Sequence, residues 1–283
     1  MTIHPETDLG TVRLTVADLA PSRDFYERAL GLRASERDDG TLALGLEDGV
    51  PLIELTGDPA ASPRPRRATG LFHLAVLLPS RRDLALALRR LAEARVPLDG
   101  ASDHLVSEAL YLHDPDGNGI EIYRDRPRDQ WPHVDGSLEM ATLPLDIDDV
   151  LTELPAASAE FVPAGTRIGH VHLKVDDLDA AEAFYAGVLG FDVTVKGYAG
   201  ALFVSAGGYH HHIGLNTWQS LGAGAPPPGA IGLRSFEVAL PDGGELERVL
   251  ERVREAGIEG DLTDGGAIVR DPSGNAVRLM ARR

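Results

Sequence analysis

Apolar and polar residues alternate along Leu9-Gly10-Thr11-Val12-Arg13-Leu14-Thr15-Val16-Ala17-Asp18-Leu19. A period of two marks a half-buried strand, and the residues that follow change to helical spacing. The same pattern returns as Ile168-Gly169-His170-Val171-His172-Leu173-Lys174-Val175-Asp176-Asp177-Leu178. The helices repeat too: residues 24–32 carry Phe25-Tyr26 and Leu30-Gly31, residues 183–191 carry Phe184-Tyr185 and Leu189-Gly190, and each Gly is placed to end its helix. A second pair of strands, residues 70–79 and 232–241, leads into amphipathic helices expected over 83–93 and 245–256. Short strands then end at an Asp-Pro-x-Gly-Asn turn, at residues 114–118 and 271–275. Internal repetition of this kind defines the architecture. The expectation is an α+β chain of four βαβββ modules in two similar halves, residues 9–126 and 167–283. The stretch 127–166, with Pro155, Ala156, Ala157 and Pro163, matches neither pattern and reads as the connector.

The turn at 114–118 delivers Glu121 in the middle of an apolar strand, Gly119-Ile120-Glu121-Ile122-Tyr123. A carboxylate there is costly unless it is paired, hydrogen-bonded or bound to a metal. Metal ligand, general base and half of a salt bridge all satisfy that demand. The matching strand near the C-terminus has Arg278 in its place. Superposing the first strands of the four modules puts Thr11, His73, His170 and Ser235 in one position. Module two thus supplies His73 and Glu121, and module three supplies His170. His172 shares a face with His170, because residues i and i+2 of a strand point the same way. The run from Tyr209 to Trp218 alternates as well, placing His210, His212 and Asn216 on one face and His211 on the other. Upstream of Glu121, His104 and Tyr111 flank a strand that belongs beside it.

Composition narrows the chemistry. With no cysteine, a metal can be held only by His, Asp, Glu and water, which selects hard or borderline ions such as iron, manganese or zinc. A formal net charge of −17 argues against nucleic-acid or anionic-membrane partners. No apolar run approaches the roughly 20 residues needed to span a bilayer, and the N-terminus lacks a signal pattern, so the chain reads as cytoplasmic. Unpaired edges of open sheets favour homo-oligomers.

Together, the paired βαβββ modules, the Gly-His-Val-His-Leu-x-Val strand and the Asp-Pro-x-Gly-Asn-x-Ile-Glu ending resemble the vicinal oxygen chelate superfamily. That superfamily holds glyoxalase I, bleomycin and fosfomycin resistance proteins and extradiol ring-cleavage dioxygenases. Segments 100–104, 121–127 and 208–216 look most like bacterial catechol 2,3-dioxygenase-type proteins. The resemblance implies open, cavity-forming mixed sheets of glyoxalase type. It also implies Fe(II) on a 2-His-1-carboxylate set and an aromatic diol cleaved with O₂, with Mn, Zn or Ni as alternative metals. The usual family pattern draws all three ligands from the C-terminal half. Here that half has Ser235 and Arg278 where a second His and the Glu are expected. If module two packs with module three and module one with module four, His73, Glu121 and His170 converge. His212, His104 and Tyr111 are then the expected catalytic groups, and His172, His210 and Asn216 the substrate contacts. The competing functions are a metal-dependent isomerase or transferase of glyoxalase type and a non-enzymatic drug-binding protein of bleomycin-resistance type.

Overall fold

A computed structural model describes all residues except 48, 50, 158 and 283. Module one is β1 (Asp8–Val16), α1 (Leu19–Phe25), β2 (Arg33–Glu36), β3 (Leu42–Gly45) and β4 (Ile53–Gly57). Module two is β5 (Gly70–Leu78), α2 (Arg81–Glu93), β6 (Gly100–Asp103), β7 (Ser107–His113) and β8 (Gly119–Asp125). The connector holds β9 (His133–Val134), β10 (Ser137–Leu138), β11 (Leu143–Pro144) and α3 (Ile147–Leu151). Module three is β12 (Arg167–Lys174), α4 (Leu178–Glu182), β13 (Asp192–Lys196), β14 (Ala201–Ser205) and β15 (Ile213–Asn216). Module four is β16 (Gly232–Leu240), α5 (Gly243–Glu255), β17 (Asp261–Thr263), β18 (Gly266–Arg270) and β19 (Ala276–Ala281). Four βαβββ modules are thus present, as the periodicity predicts. The connector is more structured than its composition implied, since β11 pairs antiparallel with β6 through Leu143 opposite Asp103.

Strand order is β17-β18-β19-β16-β1-β4-β3-β2 in an eight-stranded sheet and β11-β6-β7-β8-β5-β12-β15-β14-β13 in a nine-stranded one. The first is built from the strands of modules four and one, the second from those of modules two and three with β11. Two compact units divide the chain: one holds residues 1–13, 62–72 and from 169 onward, the other residues 14–61 and 73–168.

Helix starts are fixed by side-chain caps. Ser80 accepts from the Asp83 amide and Asp242 from the Glu245 amide, so α2 and α5 begin two residues before the expected positions. Gly31 and Gly190, at φ 73° and 92°, supply the left-handed residue after the first helix of each half. Between α1 and Gly31 the chain winds through a π-helical turn, Tyr26–Leu30, matched by Ala183–Val188 in module three. That turn has a purpose. The Tyr26 hydroxyl donates to Asp114 Oδ2 at 3.0 Å, and Asp114 also accepts from the backbone and side chain of Asn118. In the other unit the Tyr185 hydroxyl donates to Asp271 Oδ2 at 2.9 Å, with Asn275 as the second donor. Phe-Tyr and Asp-Pro-x-Gly-Asn, which recur separately in the sequence, are therefore two ends of one buried bond.

Burial lifts the Asp271 carboxyl above its ordinary 3.8, although the bonds from Asn275 and Tyr185 pull the other way. The folded state then holds that proton more tightly than the unfolded chain, so this group's contribution to stability falls as pH rises from 3.8 through the raised value. Tyr185→Phe removes a donor that favours the ionised form. It is expected to cost roughly 1–3 kcal/mol at neutral pH and less in acid, read from chemical denaturation at the two pH values.

Candidate metal centre

In the unit holding residues 73–168, β8 runs between β5 and β7. Glu121 lies opposite Ala75 of β5 and Tyr111 of β7. It is 2% exposed, and its Oε2 is 3.0 Å from His73 Nε2. The Tyr111 ring stands 5.7 Å from that of His73. His104, in the turn before β7, has Nδ1 2.6 Å from the Ala141 carbonyl and Nε2 2.6 Å from the Tyr111 hydroxyl. A carbonyl only accepts, so Nδ1 carries the proton, and in the neutral ring Nε2 is left to accept from Tyr111. Leu105 next to it sits at φ 68°, a conformation that costs a branched residue energy and is held here by its amide bond to Asp103 Oδ1 at 2.8 Å. His104 and Tyr111, read from the sequence as flanking a strand beside that of Glu121, bond directly to each other. His113 is exposed and bonded to Asp99.

In the other unit, β12 pairs in parallel with β15, His172 opposite Gly214 and Lys174 opposite Asn216. His170, His172 and Lys174 follow one another along a single face. Gly214 is required there, because a Cβ would lie 2.9 Å from the His172 ring. Phe72, Phe203 and Trp218 surround that ring at 5.2, 5.7 and 5.6 Å. Asn216 is fully buried, and its Oδ1 accepts from the Trp218 amide.

The alternation expected from Tyr209 onward fails for the histidines. Gly207 and Gly208, both at positive φ, turn the chain, and the strand begins only at Ile213. His211 consequently packs against His170, with ring centroids 4.1 Å apart, and its Nδ1 is 2.8 Å from that of His210. His210 lies 6.3 Å from His170. His212 instead accepts the Ala206 amide, packs on Tyr209 and comes 3.7 Å from Asp8. The Gly-Gly pair before the histidines is the sequence signal for this turn.

Lys174 had no role in the sequence reading. It is 4% exposed and makes no hydrogen bond or ion pair among the described residues; burial, then the Arg64 charge, pushes its ammonium down to about 8.

One nitrogen each from His73 and His170 and one carboxylate oxygen of Glu121 lie within 4.8 Å of one another, and all three residues are buried. Two imidazoles and a carboxylate suit a divalent metal of borderline hardness. The degenerate copy is built differently. Opposite Arg278 stands Glu237, where Glu121 faces an alanine, and Arg13 lies 3.4 Å from Glu237. That cluster sets two arginines around one carboxylate and offers no imidazole.

Both halves match the family model described as the Glyoxalase/Bleomycin resistance protein/Dioxygenase superfamily, over residues 8–122 and 167–279, and the chain belongs to that superfamily. It is 45% identical over 278 residues to a Bacillus subtilis protein named Catechol-2,3-dioxygenase, covering 97% of each chain. Among solved structures, glyoxalase I from Zea mays matches with a TM-score of 0.59 at 15% identity, over 98% of this chain and 92% of that one. The cppA protein from Streptococcus pneumoniae matches at 0.55 and 12%, over 97% and 98%. At these identities the two structures share the fold. No helix among the described residues is long and apolar enough to cross a membrane.

Proposed function

We propose that this protein is an extradiol ring-cleavage dioxygenase that opens a catechol-type aromatic diol with O₂, its Fe(II) held by His73, Glu121 and His170. The observation that carries this reading is the buried His/His/Glu set with its donor atoms within 4.8 Å. The 45% identity to a protein named Catechol-2,3-dioxygenase supports it. When bound, the metal would lower the pKa of the diol oxygens and orient them beside O₂. The chain's own residues do the rest. Tyr111 and His104 hold one proton between Oη and Nε2, ready to pass it to or from the reacting ring. His211, packed on His170, takes the acid-base place that the sequence reading gave to His212. The aromatic enclosure of His172 excludes water and positions the ring, with His210 and Asn216 as further polar contacts. The same donors also accept Mn, Zn or Ni, so metal identity separates this reading from a glyoxalase-type isomerase.

The test is anaerobic loading with Fe(II), then catechol and air. A yellow ring-opened semialdehyde with stoichiometric oxygen uptake is expected. Fe(II)-loaded protein that consumes no oxygen with catechol or alkyl catechols would overturn the reading.

A further inference from the structure

Lys174 is a buried cation in a chain with acid to spare, 44 Asp and Glu against 27 Lys and Arg. Lys196 is met by Glu182 at 2.6 Å and Arg248 by Glu245 at 2.8 Å. Lys174 is met by no carboxylate among the described residues, and the charge that acts on it is another cation, Arg64. Burying an ammonium without a partner is costly, and side chains of this kind persist where something else supplies the anion.

Its neighbour has the same shortage. Asn216, opposite Lys174 in the β12–β15 register, has its Oδ1 occupied by the Trp218 amide, while its fully buried Nδ2 has no hydrogen-bond acceptor. Lys174 and Asn216 therefore stand at paired positions of adjacent strands, one bringing an ammonium and the other an amide donor with no acceptor among the described residues. Period-two alternation puts both on the face that carries His170 and His172. Lys174 is four residues along β12 from His170, roughly 13 Å of strand. His172, with its aromatic neighbours around it, is the residue between them on that face of the strand.

We propose that Lys174 and Asn216 receive a carboxylate borne on a short side chain of the aromatic substrate, with Arg64 adding to the local positive potential. This rests on the ring-cleavage reading for the identity of the ring, and it narrows the substrate class to aromatic diols carrying an acidic side chain. An ammonium and an amide offer donors only, which complements the acceptor-only oxygens of a carboxylate.

Binding can be tested without turnover. Isothermal titration of the metal-loaded, oxygen-free protein with 3-phenylpropanoate and with 3-phenylpropan-1-ol compares an acid and a neutral ligand of equal length. The wild type is expected to prefer the acid by roughly 10- to 100-fold, the range of a hydrogen bond to a charged group. Lys174→Met should abolish that preference and Lys174→Arg keep most of it; Lys174→Gln serves if the Met variant fails to fold. Equal affinity of the wild type for the two ligands, or an acid preference that survives in Lys174→Met and Lys174→Gln, overturns the proposal. Turnover gives an independent reading. The ratio of kcat/KM for 3-(2,3-dihydroxyphenyl)propanoate to that for 3-propylcatechol should fall in Lys174→Met by a factor similar to that seen in binding. If neither diol is cleaved by any form, the ring-cleavage reading fails while the binding ratio still judges Lys174. Cleavage of both diols by the wild type at equal efficiency sinks the anion site and leaves the reading intact.

Discussion

Glu121→Ala is expected to abolish ring cleavage and weaken metal binding more than about 100-fold, the upper end of what losing even an outer partner of a metal ligand costs. The reasoning starts from what surrounds the carboxylate. Glu121 is 2% exposed in the middle of three strands, and the imidazole of His73 touches it at 3.0 Å. Alanine at this position removes a buried charge, so the metal-free protein loses a hydrogen bond but is also relieved of a desolvation cost. Its unfolding midpoint should therefore shift by no more than about 1 kcal/mol in equivalent stability. Iron content after anaerobic loading, oxygen uptake with catechol and denaturant unfolding of the apo form measure the three quantities. Full iron retention in the variant would remove Glu121 from the ligand set. Wild-type oxygen uptake in the variant would remove it from the chemistry.

Much of this is legible in the sequence. Strand periodicity and the Gly, Pro and Asn punctuation are local properties, and they gave the modules, the turns and the burial of Glu121. The convergence of His73, Glu121 and His170 required one further step, comparing modules with each other. What stayed hidden depends on contacts distant in sequence or on backbone that breaks a period. The turn at Gly207 and Gly208 puts His211, and not His212, against His170, because the strand and its alternation begin only at Ile213. Tyr26 and Asp114 were each visible as a repeated residue, but their bond joins positions far apart in the chain. Lys174 sits at the right spacing from His170 and His172 to have been placed on their face. Its meaning depends on Asn216 and Arg64, which only the fold brings to it.

Glu108→Ala is expected to do the opposite of Glu121→Ala: a loss of roughly 3–5 kcal/mol in stability with metal binding retained in whatever remains folded. The two glutamates lie on the adjacent strands β7 and β8, and both are 2% exposed. Their partners differ. Glu108 Oε2 accepts from Arg124 Nε at 2.7 Å and Arg81 Nε at 2.9 Å, and Arg126 reaches Oε1 at 3.4 Å. Arg81 continues to Asp149 Oδ2 at 2.7 Å, which ties α3 of the connector to α2. Removing the carboxylate strands the guanidinium of Arg124, 8% exposed, with its countercharge gone. Such an uncompensated buried cation is what makes breaking a buried pair so costly. Arg81 and Arg126 are partly exposed, so water and salt screen most of their share. Glu108→Gln, which keeps an acceptor for one guanidinium, should recover part of the loss. Denaturant midpoints of the two variants, set beside iron content per folded molecule, separate a carboxylate that holds the fold from one that holds the metal. A Glu108→Ala protein as stable as wild type would mean that the three arginines find solvent or Asp103 and Asp149 without it, and that β7 does not depend on the buried network.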